Sequence, residues 1–365
     1  MKTLKILLYL LAAAAGVFIL FLLYSTLDDY QPEKQEAVYR SDQPGVFTDS
    51  VQLSMLIWNI GYCGLDRSMD FFYDGGKQMR PSEEGVNNNL KGVLETLMPY
   101  RSYDFVLIQE LDRKSKRSYR INMQEVIGAS FPEHHHFFGK NYDVTFVPIP
   151  LKEPMGKVES GLLTLSRANP ASVVRYSFPG NYAWPVKLFM LDRCFLVNRY
   201  PVVTSRIGPG SSGTTPQENK ELVVINTHNS AYDDGSLRKQ QMEYLKQFLL
   251  DEYGKGNYVI VGGDWNQTPY GLKPELPGHL FDTINLTYVE KDYPDPGWPW
   301  AFDPGKPTNR RVNTPYDRGT TLTTVIDYYL LSPNIEVKHI QTVDVGFTYS
   351  DHQPVELGIG LIPAK

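Results

Sequence analysis

Residues 257–266 read NYVIVGGDWN, an apolar run that ends in a polar cluster. A short, continuous apolar run of this kind is typical of a buried β-strand. Asp264 and Asn266 lie two positions apart, so in an extended segment their side chains point to the same side. The stretch therefore predicts a core strand that ends in a carboxylate and an amide with a common direction.

The same arrangement, polar residues at the boundary of an apolar run, recurs along the chain. The other examples are Asn59 at the end of 51–59, Gln109-Glu110 at the end of 104–110, Asn226-Thr227-His228 at the end of 221–228, and Ser350-Asp351-His352 directly before 354–361. Any one of these alone is usually a turn or cap residue. Their repetition at strand ends favours a shared site. Helical spacing of apolar residues at 86–98 and 236–252 completes an α/β pattern.

Asp327 differs from the others because it lies inside an otherwise apolar strand, TTVIDYYLL at 323–331. Burying an unpaired carboxylate costs several kcal/mol. Asp327 therefore needs a partner, and a histidine is a natural candidate.

The residue types in this set indicate the chemistry. Carboxylate and amide oxygens suit Mg²⁺ or Mn²⁺ rather than a thiolate-rich zinc site. His228 and His352 can each carry a proton or donate to a phosphate oxygen. A cation, carboxylates, an amide and two imidazoles together favour hydrolysis of a phosphate ester.

The ordered set WN, QE, NTH, GDWN, IDYY and SDH resembles the endonuclease/exonuclease/phosphatase superfamily. This group includes pancreatic-type deoxyribonuclease, abasic-site endonucleases, neutral sphingomyelinases and inositol-polyphosphate phosphatases. The resemblance covers about residues 51–361. It implies a four-layer α/β/β/α sandwich of two packed, mostly antiparallel sheets, with the site at one edge.

The resemblance also implies a role for each matching residue. Glu110, Asn59 and Asp351 would hold the metal, which would be Mg²⁺ or alternatively Mn²⁺. Asp264 would position the attacking water, and Asn266 would hold the phosphate. His352, oriented by Asp327, would be the general base or phosphate donor, and His228 would bind phosphate or protonate the leaving-group side. Because members of the superfamily differ, Asp264 and His352 could exchange roles.

Residues 6–24 are 19 uncharged, mostly apolar residues. A helix of that length spans roughly 28 Å, about the hydrocarbon thickness of a bilayer. Lys2 and Lys5 precede the run and Asp28 and Asp29 follow it, which predicts a signal anchor with the remainder outside the cytoplasm. The alternative is a cleaved signal peptide, for which residues 12–16 offer small side chains, and then the protein is secreted or periplasmic.

These patterns divide the chain into four parts. They are a cytoplasmic segment 1–5, an anchor 6–24, a polar tether 25–49 and a catalytic domain 50–365 that is interrupted by long stretches at 64–85 and 271–319. We expect a monomer, with the membrane and a phosphate-ester substrate as its partners.

Composition excludes some classes of protein. The 365 residues carry a formal net charge of −5, which argues against a protein that coats a polyanion with positive charge. The only two cysteines, Cys63 and Cys194, exclude a disulfide-stapled scaffold, although they could pair outside the cytoplasm. The 24 Tyr and 17 Phe indicate β-structure with elaborate loops.

Two segments bear on the substrate, the first with two interpretations and the second with three. Five basic residues in 112–120 could attract phosphate beside Glu110, or could form a solvated loop. The aromatics of 293–302 could enter a membrane interface or stack on a base or headgroup, or could pack as a proline-stiffened lid on their own domain.

The combined prediction is a membrane-anchored, extracytoplasmic, Mg²⁺-dependent phosphodiesterase that acts on lipid headgroups or small phosphodiesters by in-line attack of water. The alternatives are an extracellular or periplasmic nuclease, a phosphomonoesterase acting on inositol or sugar phosphates, and an inactive binding module. The abasic-site repair type is excluded because it lacks a counterpart of His228 and acts on chromosomal DNA.

Overall fold

The computed structural model describes residues 1–203, 220–231, 235–273, 281–282 and 287–363. Within these residues the helices are α1 (Lys2–Leu27), α2 (Glu83–Leu97), α3 (Met123–Ala129) and α4 (Ser236–Gly254). The strands are β1 (Gln35–Arg40), β2 (Phe47–Thr48), β3 (Gln52–Asn59), β4 (Phe105–Asp112), β5 (His135–Val147), β6 (Gly156–Ser166), β7 (Ser172–Ser177), β8 (Cys194–Val203), β9 (Lys220–His228), β10 (Tyr258–Asp264), β11 (Trp300–Ala301), β12 (Asn309–Arg310), β13 (Thr323–Thr324), β14 (Asp327–Leu331), β15 (Ile335–Thr342) and β16 (Val355–Leu361).

Two large sheets organise the described residues. The first sheet has the order β1-β7-β8-β9-β10-β14-β11, with β2 paired to β8. The second has the order β15-β16-β3-β4-β6-β5. Most neighbours are antiparallel, and the exceptions are β9/β10, β2/β8 and β3/β4. The predicted α/β class with two mostly antiparallel sheets is confirmed.

Strand β3 shows how alternation of side chains builds the layers. Met55 and Ile57 belong to the cluster between the two sheets. Leu56 and Trp58 belong to the cluster under α2 and α3. Successive side chains of a strand face opposite sides, so a strand covered on both faces is apolar throughout. Helix α4 covers the outer face of the first sheet, which gives the four layers α/β/β/α.

Two short parts of the predicted tether, 25–49, form strands of the first sheet. Strand β1 pairs with β7 and β2 pairs with β8, so the first sheet recruits residues 35–40 and 47–48. Only residues 28–34 separate α1 from the sheet. An edge strand exposes much of both faces, and β1 therefore lacks the apolar alternation that marks an inner strand.

The two cysteines do not pair. Cys63 and Cys194 are buried free thiols in separate clusters, Cys63 under α2 and α3 and Cys194 with Phe137 and Leu162. The disulfide that the sequence left open is therefore not formed.

A buried ion pair fastens α4 to the first sheet and gives a test of stability. The Glu252 carboxylate, whose side chain is 3% exposed, accepts two hydrogen bonds of 2.8 Å from Arg199 on β8. Burial alone would raise the pKa of Glu252, but the hydrogen bonds and charge of Arg199 lower it to about 2. We expect Glu252→Gln to lower the free energy of unfolding by about 2 kcal/mol, because Arg199 keeps Glu221 at 2.7 Å but loses the charge of its buried partner.

The pH dependence of unfolding checks the same pair. A carboxyl group with a lowered pKa binds fewer protons in the folded chain than in the unfolded chain, so its stabilisation is lost as pH falls from about 4.5 towards 2. Glu252→Gln should remove that part of the acid slope of the thermal midpoint, whereas Glu243→Gln, an exposed change on the same helix, should not. An unchanged midpoint and slope in Glu252→Gln would contradict this.

Candidate active site

One row of side chains crosses three neighbouring strands of the first sheet. Asp264 on β10 is in register with His228 on β9 and with Asp327 on β14. Residues opposite one another on adjacent strands present their side chains to the same face. Gly263 allows this close row because a Cβ there would meet the Thr227 carbonyl oxygen, and its φ of +148° suits glycine.

The second sheet contributes Asn59 and Glu110 at the same edge. Asn59 is in register with Gln109, and Glu110 follows at a bulge in the pairing of β4 with β6. Glu110 has a φ of +51°, which a non-glycine residue adopts only when its surroundings impose it. Bulges commonly redirect a side chain at the rim of a sheet. The bulge turns Glu110 into the cleft.

Gln109 and Asn226, the polar residues that come shortly before Glu110 and His228 in the sequence, connect the two sheets instead of facing the cleft. Gln109 Nε2 donates to Asn226 Oδ1 at 2.7 Å, from one sheet to the other. Asn226 Nδ2 donates in turn to the carbonyl oxygens of Ile108 and Leu163 at 3.2 and 3.1 Å. Gln109 and Asn226 thus form a buried amide bridge between the sheets, while Glu110 and His228 face the cleft.

Asn59 connects the two halves of the site through its amide nitrogen. Nδ2 donates to Glu110 Oε1 at 3.3 Å and to Asp264 Oδ2 at 3.0 Å, while Oδ1 accepts from the Gly61 N–H at 3.0 Å. Because an amide oxygen has two lone pairs, Oδ1 keeps one for a cation, and the ligand role of Asn59 stays a prediction. In this geometry its Nδ2 aligns two carboxylates.

His352 lies among three carboxylates. Its Nδ1 is 2.8 Å from Asp327 Oδ2, so the buried carboxylate has a histidine partner. Its Nε2 is 3.8 Å from Asp264 Oδ2 and 3.9 Å from Asp351 Oδ2. Burial alone would lower the pKa of His352, but the charges of Asp327, Asp351 and Asp264 raise it well above its usual range.

His228 has the opposite electrostatic environment. Its Nε2 lies 3.5 Å from Asp264 Oδ2 and 3.7 Å from Glu110 Oε1. Burial, with smaller effects of Arg193 and His352, lowers the pKa of His228 well below its usual range. The pKa values of the two imidazoles on either side of Asp264 thus shift in opposite directions, which favours the charged form of His352 and the neutral form of His228.

The donor set fits a divalent cation. Burial raises the pKa of Asp264 to about 7, assisted by the charge of Asp327, and raises that of Asp351 to about 7, assisted by Glu110. Burial and neighbouring negative charges disfavour the ionised form of each carboxyl group, and a bound cation would compensate that charge. Asp264, Asp327 and His352 bring ligand atoms within 4.8 Å of one another, but Asp327 Oδ2 and His352 Nδ1 already bond to each other. Glu110 and Asp351 retain oxygens for a cation.

Asn266 lies beyond Asp264 at the mouth of the site. Its backbone N–H donates to Asp264 Oδ1 at 2.8 Å, and its Nδ2 donates to the Asn229 carbonyl oxygen at 3.0 Å. A primary amide has two N–H donors, so one remains for a ligand. All eight predicted site residues thus lie at one edge of the packed sheets. Six of them line one cleft of about 1280 Å³, and the other two, Asn59 and Asp327, bond to lining residues.

The second long stretch contributes a residue that the sequence reasoning missed. Asn309 Nδ2 lies 3.0 Å from His352 Nε2. The adjacent Arg310 is buried, lines the cleft, and donates from its backbone N–H to the Asp351 carbonyl oxygen at 3.0 Å. Both lie in a segment without strand or helix periodicity, so only the fold brings them to the site.

Three of the five basic residues in 112–120 make contacts within the domain, and one of them, Arg117, also lines the cleft. Arg117 is buried, bonds Asp112 twice at 2.9 and 3.0 Å, and stacks over the Tyr62 ring at 3.6 Å. Arg113 pairs with Glu159 at 3.4 Å, and Lys116 Nζ donates to the Pro154 carbonyl oxygen. Much of the charge is therefore compensated within the domain.

The aromatic segment 293–302 packs on its own domain. Tyr293 and Trp298 are buried, and Trp300 meets Trp265 edge-on at 5.2 Å between ring centroids. Tyr293 donates its hydroxyl to the Met242 carbonyl oxygen at 2.8 Å. Of the three interpretations, packing within the domain is the one that these contacts show. Residues 274–280 and 283–286 of the same stretch lie outside the described residues.

Comparisons with known proteins agree with this geometry. The model of the "Endonuclease/Exonuclease/phosphatase family" matches residues 56–352. An endonuclease/exonuclease/phosphatase from Beutenbergia cavernae is 17% identical, with a TM-score of 0.55 over 86% of this chain and 72% of its own. TDP2 from D. rerio, solved with a single-strand DNA product, is 14% identical, with a TM-score of 0.50 over 84% and 98%. No curated protein sequence matches significantly. At these identities the structures show a common fold.

Proposed function

Since this chain belongs to the endonuclease/exonuclease/phosphatase family, whose members are hydrolytic phosphoesterases, we propose that it is a Mg²⁺-dependent phosphodiesterase anchored in a membrane. The observation that carries the proposal is the row His228–Asp264–Asp327, closed by His352 and faced by Glu110 from the second sheet. In this arrangement the carboxylates that would hold a cation lie beside two imidazoles, one of which favours the charged form and the other the neutral form.

Glu110 and Asp351 would hold the cation, which when bound would screen the charge of the phosphate and of the developing transition state. Asn59 keeps Glu110 and Asp264 at a fixed separation through its two donated hydrogen bonds. The raised pKa of Asp351 means that it must release a proton before it can serve as a ligand.

The remaining residues would manage protons and orientation. Asp264 would orient the attacking water and accept its proton, because its pKa of about 7 is close to the working pH of a general base. His352, held by Asp327 at Nδ1, would donate from Nε2 to a phosphate oxygen that replaces Asn309 Nδ2 as the neighbour of Nε2. Asn266 would use its remaining N–H on the phosphate, and neutral His228 would stand on the leaving-group side.

Lipid headgroups are our preferred substrates among phosphodiesters. Helix α1 is the one helix of the described residues that is long and apolar enough to cross a membrane, and none of its residues is buried. With Lys2 and Lys5 on the cytoplasmic side, the catalytic domain would lie outside the cytoplasm. The nuclease alternative has less support than the sequence indicated, since Arg113, Lys116 and Arg117 are engaged within the domain.

The proposed division of the chain is an anchor over residues 2–27, a connector over 28–34 and a catalytic domain from residue 35. The purified full chain tests the activity with sphingomyelin vesicles, bis(p-nitrophenyl) phosphate, plasmid DNA and inositol phosphates, each with Mg²⁺ and with a chelator. We expect hydrolysis of the diesters that falls at least about a hundredfold with chelator and returns with Mg²⁺ or Mn²⁺. Equal rates without metal would refute the mechanism, and cleavage of DNA without lipid would identify a nuclease.

A further inference from the structure

Two loops beside the cleft expose large apolar side chains. The first comprises the end of β5 and the loop that follows it, and the second lies between β7 and β8. We use the term apolar rim for Phe146, Ile149, Leu151, Trp184 and Val186, which are 40–81% exposed. Exposed apolar residues that occur singly are ordinary, but five together beside a cleft indicate a surface that is covered in use.

The apolar rim is continuous with the active-site cleft. Ile149 and Val186 line the same cleft as Glu110, Asp264 and His352. Tyr73, itself a lining residue, donates its hydroxyl to the Ile149 carbonyl oxygen at 3.0 Å and so holds the first loop at the cleft wall. Whatever covers the rim therefore lies at the entrance to the site.

Helix α1 ends against this same surface. Phe21 stacks on Phe189 at 5.8 Å between ring centroids and meets Phe146 edge-on at 6.2 Å. Trp184 Nε1 donates to Thr26 Oγ1 at 3.2 Å. Beyond the helix, Asp29 pairs with Lys187 at 3.3 Å. The contacts come from both rim loops, so the anchor and the rim are held together.

These contacts set the depth of the rim if α1 spans a bilayer. Phe21 lies three residues before Tyr24, the last residue of the predicted span 6–24, and at 1.5 Å per residue this is about 4.5 Å along the helix axis. Phe146, in contact with Phe21, is then within a few ångströms of the membrane boundary. Apolar side chains of interfacial segments enter the headgroup region by about 5–10 Å.

We propose that the apolar rim inserts into the outer interface of the bilayer that α1 spans, so that the cleft opens onto that membrane and receives a phosphodiester headgroup from a lipid of the same bilayer. The partner is a lipid surface because the anchor's own apolar stretch, rather than a polar linker, leads into the rim. The identity of the headgroup substrate rests on the proposed function, whereas the position of the rim does not.

The position of the rim can be measured by fluorescence. Of the five tryptophans, Trp58, Trp265 and Trp298 are buried and Trp184 is 57% exposed. The full chain is reconstituted into phosphatidylcholine vesicles with and without brominated acyl chains, which quench tryptophan at the interface. We expect quenching that is largely lost in Trp184→Phe. A tryptophan added to that variant as Met98→Trp, at the opposite edge of the sheets, should remain unquenched; equal quenching in wild type and Trp184→Phe would overturn the proposal.

The function of the rim is tested with Leu151→Glu combined with Trp184→Glu, two residues outside the cleft lining. We expect at least a tenfold loss of hydrolysis of sphingomyelin in vesicles and an unchanged rate on soluble bis(p-nitrophenyl) phosphate. The matched control is Met98→Glu with Ile362→Glu, both 43% exposed at the far edge, and it should leave both rates unchanged.

The outcomes separate this proposal from the proposed function. An equal loss on the vesicle and soluble substrates, or no loss on either, would overturn the role of the rim while leaving a phosphodiesterase in place. If the wild type hydrolyses neither substrate, the proposed function fails, and the quenching experiment still decides whether the rim lies in the membrane.

Discussion

Replacing His352 by alanine is expected to lower turnover on a phosphodiester about a thousandfold, within the range that a positioned proton donor or acceptor contributes. His352 Nδ1 bonds to buried Asp327, and its Nε2 faces Asp264 and Asp351. Alanine removes the imidazole that lies on that side of Asp264. Turnover is measured on bis(p-nitrophenyl) phosphate under saturating Mg²⁺, with circular dichroism to show that the fold persists.

Asp327 is a positioning residue in this scheme, and its substitution needs a separate readout. Asp327→Asn keeps the shape but removes the charge that raises the pKa of His352, so the alkaline limb of the pH–rate profile should move to lower pH. We expect turnover to fall about a hundredfold. A purely structural role would lower the rate without moving the limb.

The second sheet offers a matched control for His352. His339 on β15 also pairs with a carboxylate, Glu356 at 3.1 Å, but the pair is at the surface. His339→Ala should leave turnover within about twofold of wild type, since an exposed pair contributes little. If His352→Ala retained near-normal turnover, or if His339→Ala lost as much, the assignment of His352 would be wrong.

A second substitution with a large expected effect is Glu110→Gln, which should weaken metal binding and lower turnover together. Glu110 is the more accessible carboxylate of the site, with 25% of its side chain exposed against 2% for Asp264. The amide keeps the size and the bulge but removes the charge that a cation requires. We expect about a thousandfold lower turnover, since the cation supplies several kcal/mol and each 1.4 kcal/mol is about tenfold.

A Mg²⁺ titration separates a ligand from a residue that merely shapes the cleft. In Glu110→Gln, both the metal concentration for half-maximal activity and the calorimetric dissociation constant should rise at least tenfold. Glu159→Gln is the control, a carboxylate near the same edge that pairs with Arg113 and does not line the cleft. Unchanged metal affinity in Glu110→Gln, or an equal loss in Glu159→Gln, would exclude Glu110 as a ligand.

The inner strands could be predicted because burial on both faces leaves a strong signal. β10 and β4 are nearly continuous apolar runs, and their polar ends mark the edge where the site lies. Strand β1 could not be predicted in this way, because its edge position leaves four of six residues exposed. Its place in the sheet depends on pairing with β7, which no local pattern in residues 35–40 encodes.

Side-chain direction was harder to predict than position. Asn59 comes to the site as expected, but its oxygen is engaged by the Gly61 N–H, a contact made by a turn with a φ of +49° at Gly61. Asn309 reaches His352 from a segment without periodicity. The aromatic run 293–302 resembled an interfacial segment by composition, yet the exposed apolar side chains are in 146–151 and 184–186. The aromatic content of a segment therefore does not tell whether its side chains are buried in the domain or exposed at the surface.

The amide bridge of Gln109 and Asn226 limits how far the two sheets can slide against each other. The site takes Glu110 from one sheet and the row His228–Asp264–Asp327 from the other, so a small sliding of the two sheets would separate the cation from the groups that move protons. Apolar contacts between sheets are non-directional and resist sliding weakly, whereas the 2.7 Å bond from Gln109 to Asn226 has one good alignment. Together with the bond from Asn59 Nδ2 to Asp264 Oδ2, the bridge fixes the offset of one sheet against the other at the edge where the site lies.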